Sequence, residues 1–245
     1  MKLPNNWNSI TLRQYQELQE LNDLSGIELI LEKLAIILDT DIYDSQIFNL
    51  DMDDLLSIKN DISWLDSEPN YVGSDIDFHL KPKDFNNIFL GEFIDIEHYI
   101  NEPIKNLHII SAIYFKKIRL DEWENIIEEP YIYDVKKRSE LFLDLPITFV
   151  LKYHKSYMIW RDNFLKTYEN LFMENNNDEE TDLEGYELIE HQKEVLEEKV
   201  KSKWSWESIL YGLSNNDITK FKELFSIEVI LIFNMLSMRK TLNIE

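Results

Sequence analysis

WSWESILYGLSNNDITKFKELFSIEVILIFNMLSMR, residues 204–239, is the stretch on which the fold class turns. It opens on aromatic residues, passes through the polar quartet Ser214-Asn215-Asn216-Asp217 and finishes in a nearly unbroken apolar run. Ser, Asn and Asp side chains bond to nearby backbone amides, so they stop one helix and start the next. Two helices joined by a capped turn are therefore expected, completing a core with Trp206 and Leu231 inside it. No catalytic grouping stands within the stretch, and its residues speak for packing rather than chemistry.

Helical periodicity continues upstream. Thr11 stands three residues before Gln14, the spacing of a capping box, with Leu12, Tyr15 and Leu18 following at helical intervals. Ser25 and Glu28 repeat that spacing ahead of Ile27, Ile30, Leu31, Leu34, Ile37 and Leu38, and Asp51 is placed to cap a helix with Leu55, Ile58, Ile62 and Leu65 on one stripe. Ile76, Phe78 and Leu80 alternate with Asp75, Asp77 and His79, which predicts a half-buried strand over about 71–81. Helices resume with Phe89, Phe93, Ile96 and Ile100, then from Pro103, a favoured first-turn residue, and then from Asp134 to Leu143. The longest helix is expected over 146–173, with His154 and Arg161 on its apolar seam. There His154 serves as a hydrogen-bonded core or boundary histidine, and Arg161 snorkels or pairs with a buried carboxylate.

The acidic run Glu174 to Asp182 cannot bury enough apolar surface to order itself and is expected to be a mobile loop, followed by a charged helix from about Glu187 to Lys201. The organisation that results is an N-terminal helical unit over 1–68, a β element and helical core over 69–173, an acidic loop over 174–185 and a helical unit over 186–245. All of it could form one domain. No tandem repeat is evident. The expected fold class is mainly α, a multi-helix bundle-like globule with one small β element.

Composition narrows the function classes. Lys and Arg number 25 against 47 Asp and Glu, and the net charge of -22 repels a phosphate backbone, so nucleic acid is not an expected partner. The short basic clusters Lys136-Lys137-Arg138 and Lys199 to Lys203 are flanked by acids and suit a solvated helix face. The absence of cysteine removes disulfides, thiol catalysis and cysteine-ligated metals. No apolar run has signal-peptide or membrane-spanning length, so an unexported, soluble protein with no membrane partner is expected. With 5 Gly and 6 Pro, a many-turned β-sandwich is disfavoured.

Chemistry-bearing constellations are weak. Asp95 and His98, and Glu187 and His191, share helix faces, but a bundle di-metal site needs a Glu-x-x-His from each of two helices and further carboxylates. Asp39 to Asp41 and Asp51 to Asp54 lack the sixth-position glycine of a calcium loop. G-x-S-x-G, GxxxxGK[ST] and GxGxxG motifs are absent. No catalytic, cofactor or metal residue is assigned, and no cofactor is expected. Trp7, Tyr15, Trp204, Trp206 and Tyr211 are the candidate packing or interaction residues, because aromatics dominate both cores and interfaces.

The opening Leu3-Pro4-Asn5-Asn6-Trp7-Asn8-Ser9-Ile10-Thr11-Leu12-Arg13-Gln14-Tyr15-Gln16-Glu17-Leu18 resembles the W-x-x-(I/V)-T-(L/V)-x-Q-(F/Y)-x-E-L opening of small tail-assembly proteins of tailed bacteriophages. Gly91 to Ile96, Pro103 to His108 and Trp206 to Lys220 are similar to further segments of that family. The resemblance implies a non-enzymatic tail-assembly chaperone. Such a protein holds a tape-measure or tail-tube subunit soluble during virion assembly, alongside other assembly proteins, in the host cell cytoplasm or the virion. The competing expectations are a permanent virion component, such as a connector, ring or baseplate subunit, and, more remotely, a metal-assisted hydrolase using Asp95 and His98.

Overall fold

The computed structural model describes residues 3–69, 80–120, 122, 126–128, 135–172, 206–215 and 217–242. The chain is mainly α with a small β element. Its α-helices among the described residues are α1 (Leu12–Gln19), α2 (Gly26–Leu38), α3 (Ser45–Phe48), α4 (Met52–Asp61), α5 (Leu90–Tyr99), α6 (Pro103–Tyr114), α7 (Val135–Leu143), α8 (Ile147–Thr167), α9 (Glu169–Phe172), α10 (Trp206–Leu213), α11 (Phe221–Leu224) and α12 (Val229–Thr241). Three strands, β1 (Leu80–Pro82), β2 (Phe115–Leu120) and β3 (Ile126–Glu128), form an antiparallel sheet in the order β1-β2-β3, with Leu80 opposite Lys117 and Ile118 opposite Glu128.

Contacts divide the chain into two compact units, Met1–Lys83 with His98–Tyr157, and Asp84–Glu97 with Met158–Glu245. The first holds α1 to α4, the sheet, α6, α7 and the first part of α8. Its centre is an aromatic cluster in which Phe115 stacks on Phe149 at 5.5 Å and meets Phe142 and the edge of Tyr153. Tyr114 packs beside Tyr157 at 5.2 Å, and both are fully buried. Gln14 ties α1 to α2, donating from Nε2 to the carbonyl of Ile36 at 2.9 Å, where α2 ends on a left-handed Asp39.

The second unit packs α5 through Glu97, the remainder of α8, and α9 to α12. Phe93, Phe164, Tyr168 and Phe233 converge there, Phe164 and Phe233 at 4.7 Å, while Trp160 stacks on Phe164 at 5.0 Å. Beside this apolar centre, Arg161 donates from Nε and Nη2 to the two carboxylate oxygens of Glu97 at 2.6 and 2.8 Å. Both side chains are largely buried. Of the two roles expected for Arg161, the structure selects the buried pair. Two parallel charge-assisted bonds of this kind are what makes burial of opposite charges tolerable.

Among the described residues the same helix-start device appears in each unit. In the first, Leu12 N–H donates to the Leu145 carbonyl at 2.8 Å and Ile147 N–H to the Ile10 carbonyl at 2.9 Å, so an antiparallel bridge at Thr11 and Pro146 ties the starts of α1 and α8. In the second, Leu90 N–H donates to Ile227 at 2.8 Å and Val229 N–H to Ile88 at 2.9 Å, a bridge at Phe89 and Glu228 tying α5 to α12. The third helical residue completes each device. Gln14 Oε1 accepts from Thr11 N–H at 3.0 Å, and Glu92 Oε2 accepts from Phe89 N–H at 3.1 Å. The sequences correspond position by position: Ile10-Thr-Leu-Arg-Gln-Tyr-Gln-Glu-Leu18 against Ile88-Phe-Leu-Gly-Glu-Phe-Ile-Asp-Ile96. The two copies are nine residues long and far apart in the chain, which is why no tandem repeat is evident.

Several local expectations hold. Thr11 with Gln14, and Asp51 with Asp54, form capping boxes, and Pro103 occupies the first turn of α6. Others need correction. Ser25 makes no side-chain cap bond, because the chain enters α2 through Gly26 at φ +65°, which turns the first-turn amides away from it. The helix expected over 146–173 ends at Thr167. Tyr168 N–H is shared between the carbonyls of Phe164 and Leu165, and its hydroxyl donates to Asn234 Oδ1 at 2.7 Å, so an anchor to α12 breaks the run before α9. The region after Trp206 holds three α-helices rather than two, since Glu228 must be extended to form its bridge. The strand expected over 71–81 lies outside the described residues except at Leu80 and Lys81, which belong to β1. β2 and β3 were not legible, because Phe-Lys-Lys-Ile-Arg-Leu alternates over too few residues. The acidic loop from 174 and the charged helix from 187 also lie outside the described residues.

Gly91 takes the position that Arg13 holds in the first unit, and a Cβ there would stand 3.0 Å from Phe225 Cβ and 3.3 Å from its carbonyl oxygen. Gly91→Ala is therefore expected to destabilise by about 1–3 kcal/mol through overpacking, despite the helix preference for alanine. Arg13→Ala, at an exposed position, is expected to stay within about 0.5 kcal/mol. Equilibrium chemical denaturation of the two variants measures both.

Candidate interaction surfaces

Trp7 and Tyr15 meet in the first unit. The Trp7 ring is buried, lies edge-on to Tyr15 at 5.8 Å and to Trp64 at 5.2 Å, and its Nε1 donates to the Ser67 carbonyl at 3.2 Å. Trp64 was not singled out by the sequence, although it closes this cluster. Beside Trp7 lies a cavity of about 270 Å³ lined by Leu18, Leu21, Leu29 and Leu65, with the ion pair of Lys33 and Asp66 at 2.6 Å on its wall. This arrangement packs α1 against α2 and the turn Ser63–Asp66, and the charged groups on the cavity wall, Lys33 and Asp66, are paired with each other.

Tyr211 is on α10 and 49% exposed, whereas its neighbour Leu210 is buried. Trp204 lies outside the described residues, and for Trp206 only the backbone, the first residue of α10, is described. The second unit holds a more extensive surface on α12. Val229, Ile232 and Phe233 face its core, but Leu231, Met235, Met238 and Leu242 are exposed, spaced so as to line one side of the helix. Leu231 is 56% exposed, which corrects the expectation that it is a core residue. With Asn234 and Ser237 as its only polar residues before Arg239, the run offers apolar residues on more than one side, so periodicity could not single out the exposed one. A helix that is apolar on two sides is ordinarily covered on both, and exposed methionines adapt to many partner shapes.

The titratable groups of the long helix serve structure. His154 Nδ1 lies 3.0 Å from the Tyr114 hydroxyl, and burial pushes its pKa down to about 4, so at neutral pH the ring is uncharged and can accept that hydroxyl. This matches the hydrogen-bonded boundary histidine expected. Burial also lowers the pKa of His108, whose Nδ1 lies 3.3 Å from Gln16 Nε2. His98 is exposed against the Tyr99 ring, on the same helix as Asp95, and Glu187 with His191 lie outside the described residues. Among the described residues no group of three or more His, Asp or Glu could hold a metal ion, and no helix is long and apolar enough to cross a membrane.

No protein-family model matches the chain, and neither a curated protein nor a solved structure shows significant similarity to it.

Replacing Phe233 by Ala is expected to cost about 3–5 kcal/mol, and Leu231→Ala less than about 1 kcal/mol, as thermal denaturation would show. The unfolded chain takes up a proton at His154 near pH 6.5, while the folded chain does so only near pH 4. Stability is therefore lost as pH falls through that window. His154→Gln, whose amide can still accept from Tyr114, is expected to lose about 2 kcal/mol less than the parent between pH 7 and pH 4.5, and parallel stability curves would assign the acid loss elsewhere.

Proposed function

We propose that the protein is a non-enzymatic phage tail-assembly chaperone that binds a tape-measure or tail-tube subunit before polymerisation, and that it acts in the host cytoplasm. The observation that carries the proposal is the exposed stripe Leu231, Met235, Met238 and Leu242 on α12, a helix whose opposite face is anchored in a packed core. An apolar helix face held against a core fits an amphipathic partner helix, a recurring mode of recognition between chains. The charge of -22 supports the same role, because mutual repulsion keeps copies of the chaperone apart while the stripe stays open. The resemblance of Leu3 to Leu18, Gly91 to Ile96 and Trp206 to Lys220 to tail-assembly proteins supplies the biological setting.

Co-expression with a phage tape-measure protein, sought among the products of the same genome, is the test. The parent is expected to raise the soluble fraction of that product several-fold, and Leu231→Ser/Met238→Ser is expected to lose the effect while folding normally. Unchanged solubility with the parent would end the chaperone proposal. Stoichiometric recovery of the chain from purified particles by mass spectrometry would instead favour a permanent virion component.

A further inference from the structure

The first unit carries a second exposed apolar surface of different character. Tyr43, Phe48, Met52 and Leu56 are 76%, 72%, 56% and 55% exposed. Met52 and Leu56 lie one turn apart on α4, whose inward stripe is Leu55 and Ile58, and Phe48 ends α3 only four residues earlier in the chain. Four residues of chain span at most ~14 Å, so Phe48 lies near Met52 and Leu56, and Tyr43 precedes Phe48 by five residues.

The segment that carries it is acidic, with its one cation, Lys59, one turn beyond Leu56 on the same side of α4. From Asp39 to Asp61 the chain has seven aspartates and a single cation, Lys59, whereas over the whole chain acids outnumber bases 47 to 25. Asp41, Asp44, Asp51 and Asp54 cap local turns and helix starts, which holds their carboxylates near the starts of α3 and α4. Asp53 is exposed on α4 next to Met52, whereas Asp61 falls on the opposite side of that helix.

We propose that this surface docks a basic amphipathic helix of a partner protein. The apolar side chains take the partner's apolar face, and the aspartate collar takes flanking lysines or arginines. The alternatives fit less well. A second copy of the chain would bring collar against collar, and an anionic membrane would meet the same repulsion. An added strand would need a sheet edge, which α3 and α4 do not offer. The α12 stripe takes no part, so the proposal stands or falls separately from the chaperone function.

Fluorescence anisotropy with a labelled 14-residue Leu/Lys amphipathic helical peptide, applied to the full chain, tests it. Micromolar binding is expected, weakening as salt is raised. Phe48→Ser/Leu56→Ser is expected to lower affinity at least about tenfold and Asp53→Lys several-fold, with melting temperatures near the parent's. Leu231→Ser/Met238→Ser is expected to bind as the parent does. A peptide with Glu in place of Lys is expected not to bind. The proposal is overturned if Phe48→Ser/Leu56→Ser binds as tightly as the parent, since attraction to the overall charge then explains the signal. Equal binding of the Glu peptide, no binding by the parent, or self-association of the parent that Phe48→Ser/Leu56→Ser abolishes would each overturn it as well.

Discussion

The architecture depends on the pairing of helix starts. The first amides of any helix lack partners within it, and burying them unpaired costs about 1–3 kcal/mol each. In both units two helices meet this need for each other, through two main-chain bonds across an antiparallel bridge. Because the amides are satisfied by main chain rather than by water, Ile10, Leu12, Ile88 and Leu90 at the bridges are completely buried. Pro146 is compatible with its place because the bonds run from the residues on either side, Leu145 and Ile147, and no N–H is asked of it.

From these bridges follow the positions of the cores. In the first unit α1 and the opening of α8 are held together, and the aromatic residues of α8 then reach Phe115, Phe142 and Tyr114. In the second, α5 and α12 are held together, bringing Phe93 to Phe233 and Phe164. The close approach of Gly91 to Phe225 belongs to the same geometry. A cost appears at α12, where commitment of Val229, Ile232 and Phe233 to the core leaves the opposite apolar side facing outward. The exposed stripe is thus a consequence of how the helix is anchored, and it is the feature on which a partner-binding role rests.

Legibility followed the range of the interactions. The capping boxes at Thr11 and Asp51 and the proline start of α6 were readable because each is closed within four residues. The buried arginine of α8 was readable as one of two roles, but its partner Glu97 lies on another helix and only the fold names it. The breaks at Tyr168 and Glu228 were not readable, since both are imposed by partners far along the chain, Asn234 and the strand-like residues around Phe89. Of the candidate aromatics, Trp7 and Tyr15 came together with an unforeseen Trp64. Periodicity did not single out the exposed residues of α3 and α4, and it read Leu231 of α12 as core. For α4 a signal existed: Leu56 falls outside the stripe of Leu55, Ile58, Ile62 and Leu65, on the far side of the helix from Ile58.

By itself the sequence determined that the chain is mainly helical, where most helices begin, and that its surface is strongly acidic, because capping, periodicity and charge are properties of short segments. Tertiary structure alone decided which helix starts pair, where long apolar runs break and which apolar side of α12 and α4 remains exposed. The reason is that a helix apolar on more than one side has no preferred inward face until another element is bonded to it, and that bond is made by residues remote in sequence.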